Sequence, residues 1–140
     1  MIREIISQWD ERKSVLRAHL QENHPGGYAD LLDRILRLVV NEPIGGAFSD
    51  SLDPDCVTVV DDGHYQGVQL FLIPLGRYQP GPDDYVWFDN YYGSCSGCDT
   101  YQSIRGYYDE PPTPDQVEQY MSLALHMVQR MKWLVPREAA

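Results

Sequence analysis

The stretch from residue 85 to residue 104 constrains the fold more than any other part of the chain. It reads YVWFDNYYGSCSGCDTYQSI, an aromatic strand pattern followed by a turn with two cysteines and then a predicted short helix. Two intervening residues allow the two thiols to face a common point. This strand-to-helix turn therefore holds the most concentrated chemistry in the sequence, and the rest of the chain is predicted to hold it in place.

The hydrophobic pattern predicts one domain of the α+β class. Apolar residues recur at helical spacing on both sides of a Pro-Gly-Gly turn near the N-terminus, and three strand patterns follow with short connections. Within residues 1–140 the prediction is an N-terminal helical pair at 1–40, a small antiparallel three-stranded sheet at 56–93, a cysteine turn with a short helix at 94–106, and an amphipathic helix packed on the sheet at 113–134.

The predicted closing helix has the clearest start signal in the chain. Thr113 and Gln116 have the spacing of a capping box, with Pro114 at the first helical position. Two proline- and glycine-containing segments, residues 41–55 and 74–84, are predicted to be loops whose ordering on binding the sequence leaves open.

Charge and cysteine content bound the class of protein. Residues 41–115 carry thirteen acidic and two basic residues, a local net charge of −11 against −10 for the whole chain. Such a surface repels nucleic-acid phosphates and anionic membranes, so we expect neither as a direct partner.

No apolar run approaches the roughly 20 residues of a membrane span, and there is no signal-peptide pattern, so the sequence predicts a cytoplasmic protein. Three cysteines, an odd number, do not suggest a disulfide framework.

The cysteine turn allows three interpretations. Zinc needs four ligands, and Cys95 and Cys98 supply two. If the first and third strands are neighbours, Cys56 and His64 could complete the set. A redox pair is the second interpretation, because strand, Cys-x-x-Cys and helix follow one another in the thioredoxin-type order, although here only helices follow. The third is a structural turn in which the thiols pack as small apolar groups and Asp99 or Thr100 caps the short helix.

The acidic middle of the chain also suggests a surface for a protein partner. Tyrosine is enriched at interfaces, and acidic residues favour a basic partner. Walker, Rossmann and nucleophile-elbow motifs do not occur, so the sequence favours a binding protein over an enzyme and implies no cofactor apart from the zinc alternative. Homo-oligomerisation is left open. The candidate interaction residues are Asp61, Asp62, Tyr65, Asp83, Asp84, Tyr91 and Tyr92.

Three segments resemble one family. The His-Tyr-Gln-Gly run at 64–67, the Tyr-Gly-Ser-Cys-Ser-Gly-Cys-Asp-Thr run at 92–100 and the segment LALHMVQRMKWL at 123–134 resemble small proteins that bacteriophages and some bacteria encode. The resemblance covers residues 61–134 and transfers no catalytic residue. It implies a small accessory protein acting inside a bacterial cell. Together with the acidic middle, this suggests an inhibitor that docks on a basic, nucleic-acid-binding host protein.

Overall fold

The computed structural model describes residues 2–46, 50–64, 66–107 and 109–137. Within those ranges the chain forms four α-helices, four β-strands and two short 3₁₀ turns. In chain order the elements are α1 (Arg3–Glu22), α2 (Tyr28–Leu38), a 3₁₀ turn (Pro54–Cys56), β1 (Thr58–Asp61), β2 (Gly67–Pro74), a 3₁₀ turn (Pro82–Asp84), β3 (Tyr85–Tyr92), α3 (Thr100–Arg105), α4 (Pro114–Arg130) and β4 (Lys132–Trp133). This mixture of helix and antiparallel sheet confirms the predicted α+β class.

Helices α1 and α2 lie side by side and run in opposite directions. Near the middle of α1, Arg12 donates to the carbonyl of Val39 at 3.3 Å. One turn earlier in α1, Gln8 donates to the carbonyl of Glu42 at 3.2 Å. Residue numbers decrease along α1 as those of the partners after α2 increase, which is the pattern of antiparallel segments. Gly27 is the N-cap that precedes α2, with a φ of 142°, a backbone region that L side chains rarely adopt. The glycine turn thus lets the two apolar stripes face one core.

Helix α4 begins at the capping box that the sequence predicts. The Thr113 hydroxyl accepts from the Gln116 amide at 3.2 Å, and the Gln116 side chain accepts from the Thr113 amide at 2.8 Å. One side of the helix is then buried in the core. On its other flank Glu118 accepts from Arg17 of α1 at 3.0 Å, which ties the two long helices together. The buried residues of α4 are Val117, Tyr120, Met121, Leu123, Ala124, Met127 and Val128.

The strands of the described residues form one antiparallel sheet in the order β1-β2-β3-β4. Residues directly opposite each other on neighbouring strands project from the same face. Phe71 of β2 pairs with Phe88 of β3, and their rings stack with centroids 5.0 Å apart. On the same face, Ile73 pairs with Val86, and all four side chains are fully buried. This face carries the core between sheet and helices.

The fourth strand corrects the predicted three-stranded sheet. The helix expected to reach residue 134 ends at Arg130, and Met131 is already extended with φ −65° and ψ 131°. Lys132 and Trp133 then pair with Trp87 and Val86 of β3. The apolar stripe of α4 continues at helical spacing beyond Arg130, so periodicity alone could not reveal the change. Backbone pairing with the free side of β3 replaces the last helical turn.

The predicted loop at residues 41–55 is anchored at two of its described positions. Ile44 and Leu52 are buried, and Leu52 forms an isolated bridge with Leu75 at the end of β2. Residues 47–49 lie outside the described ranges. Among the helices that the structure describes, none combines the length and the apolar character that crossing a membrane requires.

Candidate functional site

The cysteine turn connects the end of β3 to the start of α3. Its backbone folds tightly, because the amides of Cys98 and Asp99 both donate to the Cys95 carbonyl, at 3.1 and 3.0 Å. Asp99 is the N-cap of α3 and accepts from the Gln102 amide at 2.8 Å, which confirms one of the two predicted caps. Gly106 ends the helix with a φ of 65°, as glycine readily does.

Asp99 also anchors the turn to the protein core. Its side chain is only 4% exposed. One carboxylate oxygen accepts from the Gly93 amide at 2.8 Å, and the other accepts from the Tyr28 hydroxyl of α2 at 3.2 Å as well as from Gln102. A buried carboxylate is tolerated where donors replace its lost water, and Asp99 has three. Asp99 therefore ties the cysteine turn to the end of β3, to the start of α3 and to α2.

Tyr28 extends this network into the helical pair. Its hydroxyl donates to Asp99 and accepts from the Tyr101 amide at 3.1 Å. Burial raises the pKa of Tyr28 to about 12, and the neighbouring Asp99 acts in the same direction. The phenol therefore keeps its proton across the physiological range and remains a donor to Asp99.

Gly93 allows the turn to fold back on the strand. A Cβ built on Gly93 would lie 2.5 Å from the carbonyl oxygen of Cys98 and 2.6 Å from its sulfur. These distances are too short for any side chain without a backbone shift. The glycine in the Tyr-Gly-Ser-Cys run thus serves the close approach of Cys98 to the strand end.

The two thiols of the turn lie together at the surface. Both are exposed, and their sulfurs are 3.3 Å apart. The sulfur of Cys98 also accepts from the Cys95 amide at 3.3 Å and lies 3.7 Å from the Ser94 hydroxyl. Hydrogen bonds from the Cys95 thiol and amide, followed by that of Ser94, lower the pKa of Cys98. The turn favours a thiolate at Cys98.

A surface groove of about 700 Å³ lies between the cysteine turn, α3 and α4, and Cys98 is one of the residues that line it. Its lining includes the apolar residues Ile104 and Leu123 and the polar residues Ser103, Asp115 and His126. Cys98, one of the two paired cysteines, therefore borders a cleft that has polar residues along its sides.

The structure does not assemble the four-residue zinc set. The zinc set requires the first and third strands to be neighbours, but β2 lies between β1 and β3. Cys56 belongs to a 3₁₀ turn before β1, where hydrogen bonding to Asp53 raises its pKa. His64 is exposed in the β1–β2 turn. Across the described ranges, no group of three or more His, Cys, Asp or Glu side chains is placed to hold a metal ion.

The face of the sheet turned away from the helices is rich in apolar and aromatic residues. We call it the open face: it contains Thr58, Val60, Val68, Leu70, Leu72, Tyr85, Trp87, Asp89, Tyr91 and Lys132, which the strand pairing places on one side. Val60 is 46% exposed and Tyr91 56% exposed, while Leu70, Leu72 and Trp87 are half-buried. Lys132 lies over the Trp87 ring at 4.2 Å. Apolar patches of this kind on a sheet often mark interaction sites.

The structure does not bring the candidate interaction residues together on one surface. Tyr91 lies on the open face, whereas Tyr92 projects to the opposite side and donates to Asp61 at 2.5 Å. That bond raises the pKa of Tyr92 to about 12 and lowers the pKa of Asp61. Asp62 accepts from the Val68 amide and Asp84 pairs with Arg77, both at the strand ends. Asp83 is exposed, and Tyr65 lies outside the described residues.

Sequence reasoning missed the roles of Asp99 and of the open face. The signal for Asp99 was its position as an N-cap, but its bonds to Gly93 and Tyr28 depend on the packing of α2 against the turn. The signal for the open face was the run of large side chains on both sides of β3, which is usual for strands covered on two faces. Only the fold shows that one side stays open.

Comparison of the chain with protein-family models, with curated proteins and with solved structures gives no match.

Proposed function

We propose that the protein binds a protein partner through the open face, and that the partner presents an apolar centre surrounded by basic residues. The observation that supports this most directly is the set of large apolar side chains left in contact with solvent, including Val60, Leu70 and Tyr91. Aromatic and aliphatic side chains of this kind supply most of the energy at the centre of protein interfaces.

The charges at the open face support a basic partner. Asp89 is exposed within the face, Asp62 lies at one end of its strands, and Asp83 precedes the other end. The net charge of −11 over residues 41–115 places these carboxylates in a wider acidic region. A second copy of the chain would bring the same charges against each other, whereas a basic surface gains from them.

The resemblance to bacteriophage-encoded proteins gives this proposal a context. A small acidic protein whose open face covers a basic surface would compete with nucleic acid for that surface. We therefore propose a bacterial nucleic-acid-binding protein as the class of partner and inhibition as the consequence. Association of this type should weaken steeply as salt is added, because screening acts first on the charges at the rim.

A matched pair of valines tests the open face. Val60 on the face and Val15 on α1 are both 46% exposed, so Val60→Ser and Val15→Ser remove similar apolar surfaces. We expect Val60→Ser to weaken partner binding roughly fivefold, since about 1 kcal/mol is lost when half a valine side chain no longer reaches the interface, and Val15→Ser to leave it unchanged. A photo-crosslinking residue in place of Val60 captures the partner from cell extract, and calorimetry of the purified complex measures both variants.

Three other outcomes would contradict the proposal. Equal binding by both variants would place the interface elsewhere. Affinity that stays flat from low to high salt would exclude a charge-led partner. Sedimentation equilibrium that shows a dimer, dissociated by Val60→Ser and not by Val15→Ser, would assign the open face to a second copy of the chain.

A further inference from the structure

The cysteine turn points to an activity that the open face does not explain. The sulfurs of Cys95 and Cys98 are 3.3 Å apart and both thiols are exposed. A disulfide needs about 2.05 Å, so closure requires a movement of little more than 1 Å by exposed side chains. We propose that Cys95 and Cys98 are a redox pair that exchanges with peptide disulfides seated in the groove beside Cys98.

The hydrogen bonds of the turn assign different roles to the two thiols. The neutral Cys98 thiol donates to the Cys95 carbonyl at 3.4 Å. Once ionised, its sulfur can only accept, and the Cys95 amide and the Ser94 hydroxyl are placed to donate to it. Cys98 also lines the groove, and Cys95 does not. Cys98 is therefore the attacking thiol, and Cys95 is the resolving thiol within reach behind it.

The exchange runs in two balanced steps. The Cys98 thiolate attacks one sulfur of the peptide disulfide, the peptide S–S bond breaks, and its second sulfur leaves as a thiolate that takes a proton from water. The Cys95 thiol then loses its proton to water and attacks the Cys98 sulfur. The mixed disulfide breaks and the first peptide sulfur leaves as a thiolate. The peptide disulfide gains two electrons in total, and the Cys95–Cys98 dithiol is oxidised to a disulfide.

The fold keeps this pair available for exchange. Asp99, directly after Cys98, is fixed by the amides of Gly93 and Gln102 and by Tyr28, so the backbone on the helix side of the turn is held. The antiparallel order of the sheet differs from the thioredoxin arrangement, so the activity rests on the local geometry of the turn alone.

Cys56 provides an internal control for the reactivity of Cys98. Both thiols are exposed, so access alone does not distinguish them. Hydrogen bonding to the Asp53 carboxylate and the negative charges of Asp53 and Asp55 raise the pKa of Cys56, whereas the donors of the turn lower that of Cys98. At neutral pH we expect iodoacetamide to alkylate Cys98 roughly tenfold or more faster than Cys56, measured by peptide mass spectrometry.

The decisive experiment treats the full chain with 2-hydroxyethyl disulfide, a neutral probe that the acidic surface does not repel. The expected product is a protein lighter by two hydrogen atoms, with the new bond between Cys95 and Cys98 in the peptide map. Cys56→Ser should react in the same way. Cys95→Ser should stop at the first step and accumulate the mixed disulfide on Cys98, and dithiothreitol should reverse both products.

The opposite results would overturn the proposal. Equal alkylation of all three thiols, or a mixed disulfide that accumulates on wild-type Cys98 without closing, would show that the turn is structural. Circular dichroism of each cysteine variant separates loss of exchange from loss of fold. Binding by the open face is measured independently, since Cys95→Ser leaves Val60 and its neighbours in place, so failure of one proposal does not affect the other.

Discussion

The two faces of the sheet are made by the same strands yet have different roles. On the covered face, Phe71, Ile73 and Phe88 are completely buried beneath the helices. On the open face, the alternate residues Leu70, Leu72 and Trp87 are comparably large but only half-buried. The two sets differ in what packs on them and not in their chemical nature. Hydrophobic side chains on a strand therefore do not reveal by themselves whether they stabilise the fold or await a partner.

The energetic consequence follows from burial. Folding removes the whole surface of a fully buried aromatic side chain from contact with water. When such a side chain is truncated, its neighbours fill the resulting cavity only in part. A side chain on the open face contributes less to folding because much of its surface stays in water. Substitutions on the two faces should therefore separate stability from binding.

The largest expected difference is between Phe88→Ala and Tyr91→Ala, both on β3. Phe88 is fully buried and stacked on Phe71 at 5.0 Å, so its truncation should lower the free energy of unfolding by about 3–5 kcal/mol. Tyr91 is 56% exposed, and its truncation should cost about 1 kcal/mol or less. Urea titration followed by fluorescence measures both values.

Comparable losses for the two variants would break the comparison, because they would mean that the open face is packed in the isolated protein. A dimer that buries the open face would give that result. Repeating the titration over a range of protein concentrations distinguishes this case, since only a dimer becomes more stable as concentration rises.

A second pair of variants tests the end of β3, where the sheet passes into the cysteine turn. Gly93→Ala places a Cβ 2.5 Å from the Cys98 carbonyl oxygen, so the backbone must shift. Gly97→Ala meets only the Cys95 sulfur at 3.8 Å, an ordinary contact. We expect Gly93→Ala to cost about 1–3 kcal/mol by overpacking, and Gly97→Ala to be nearly neutral.

Thermal unfolding of the two glycine variants gives the measurement, with thiol alkylation as a second readout. Because Gly93 approaches Cys98, its substitution should also change the alkylation rate of that thiol. Equal melting temperatures for wild type and Gly93→Ala would show that the turn does not depend on this close approach.

Local signals in the sequence predicted those elements whose determinants lie close together in the chain. The capping box of Thr113 and Gln116 predicted the start of α4, and the aromatic run before the cysteine turn predicted a strand where β3 is found. Lys132 and Trp133 were missed because two residues carry no strand pattern, and their pairing with β3 depends on where α4 ends in space. The premise of the zinc set, that the first and third strands are neighbours, was wrong for the same reason, since sequence spacing does not determine strand order.

His24 shows the same limit for a single side chain. Its position after a charged helix and before Pro25 predicts a solvated residue. In the structure its Nδ1 lies 2.7 Å from the Tyr120 hydroxyl of α4, and its Nε2 lies 2.9 Å from the Glu110 carbonyl. The rings of His24 and Tyr120 meet edge to face, with centroids 5.6 Å apart. His24, which lies in the turn between α1 and α2, thus packs against α4.

The contact between His24 and Tyr120 gives the smallest of the expected effects. It makes the free energy of unfolding depend on pH through the helices on the covered face, and the open face takes no part. Burial lowers the pKa of His24 below its ordinary value of 6.5. Between 6.5 and the lower folded value, the unfolded chain binds a proton at His24 that the folded chain does not. The contribution of His24 to stability is therefore present above pH 6.5 and is lost as the pH falls below it.

Urea titrations from pH 7.5 downward should show a steeper loss of stability for wild type than for His24→Gln, which keeps the other three histidines. Identical pH profiles would mean that His24 is solvated in solution, as the sequence predicts, and that the contact with Tyr120 does not restrict its protonation.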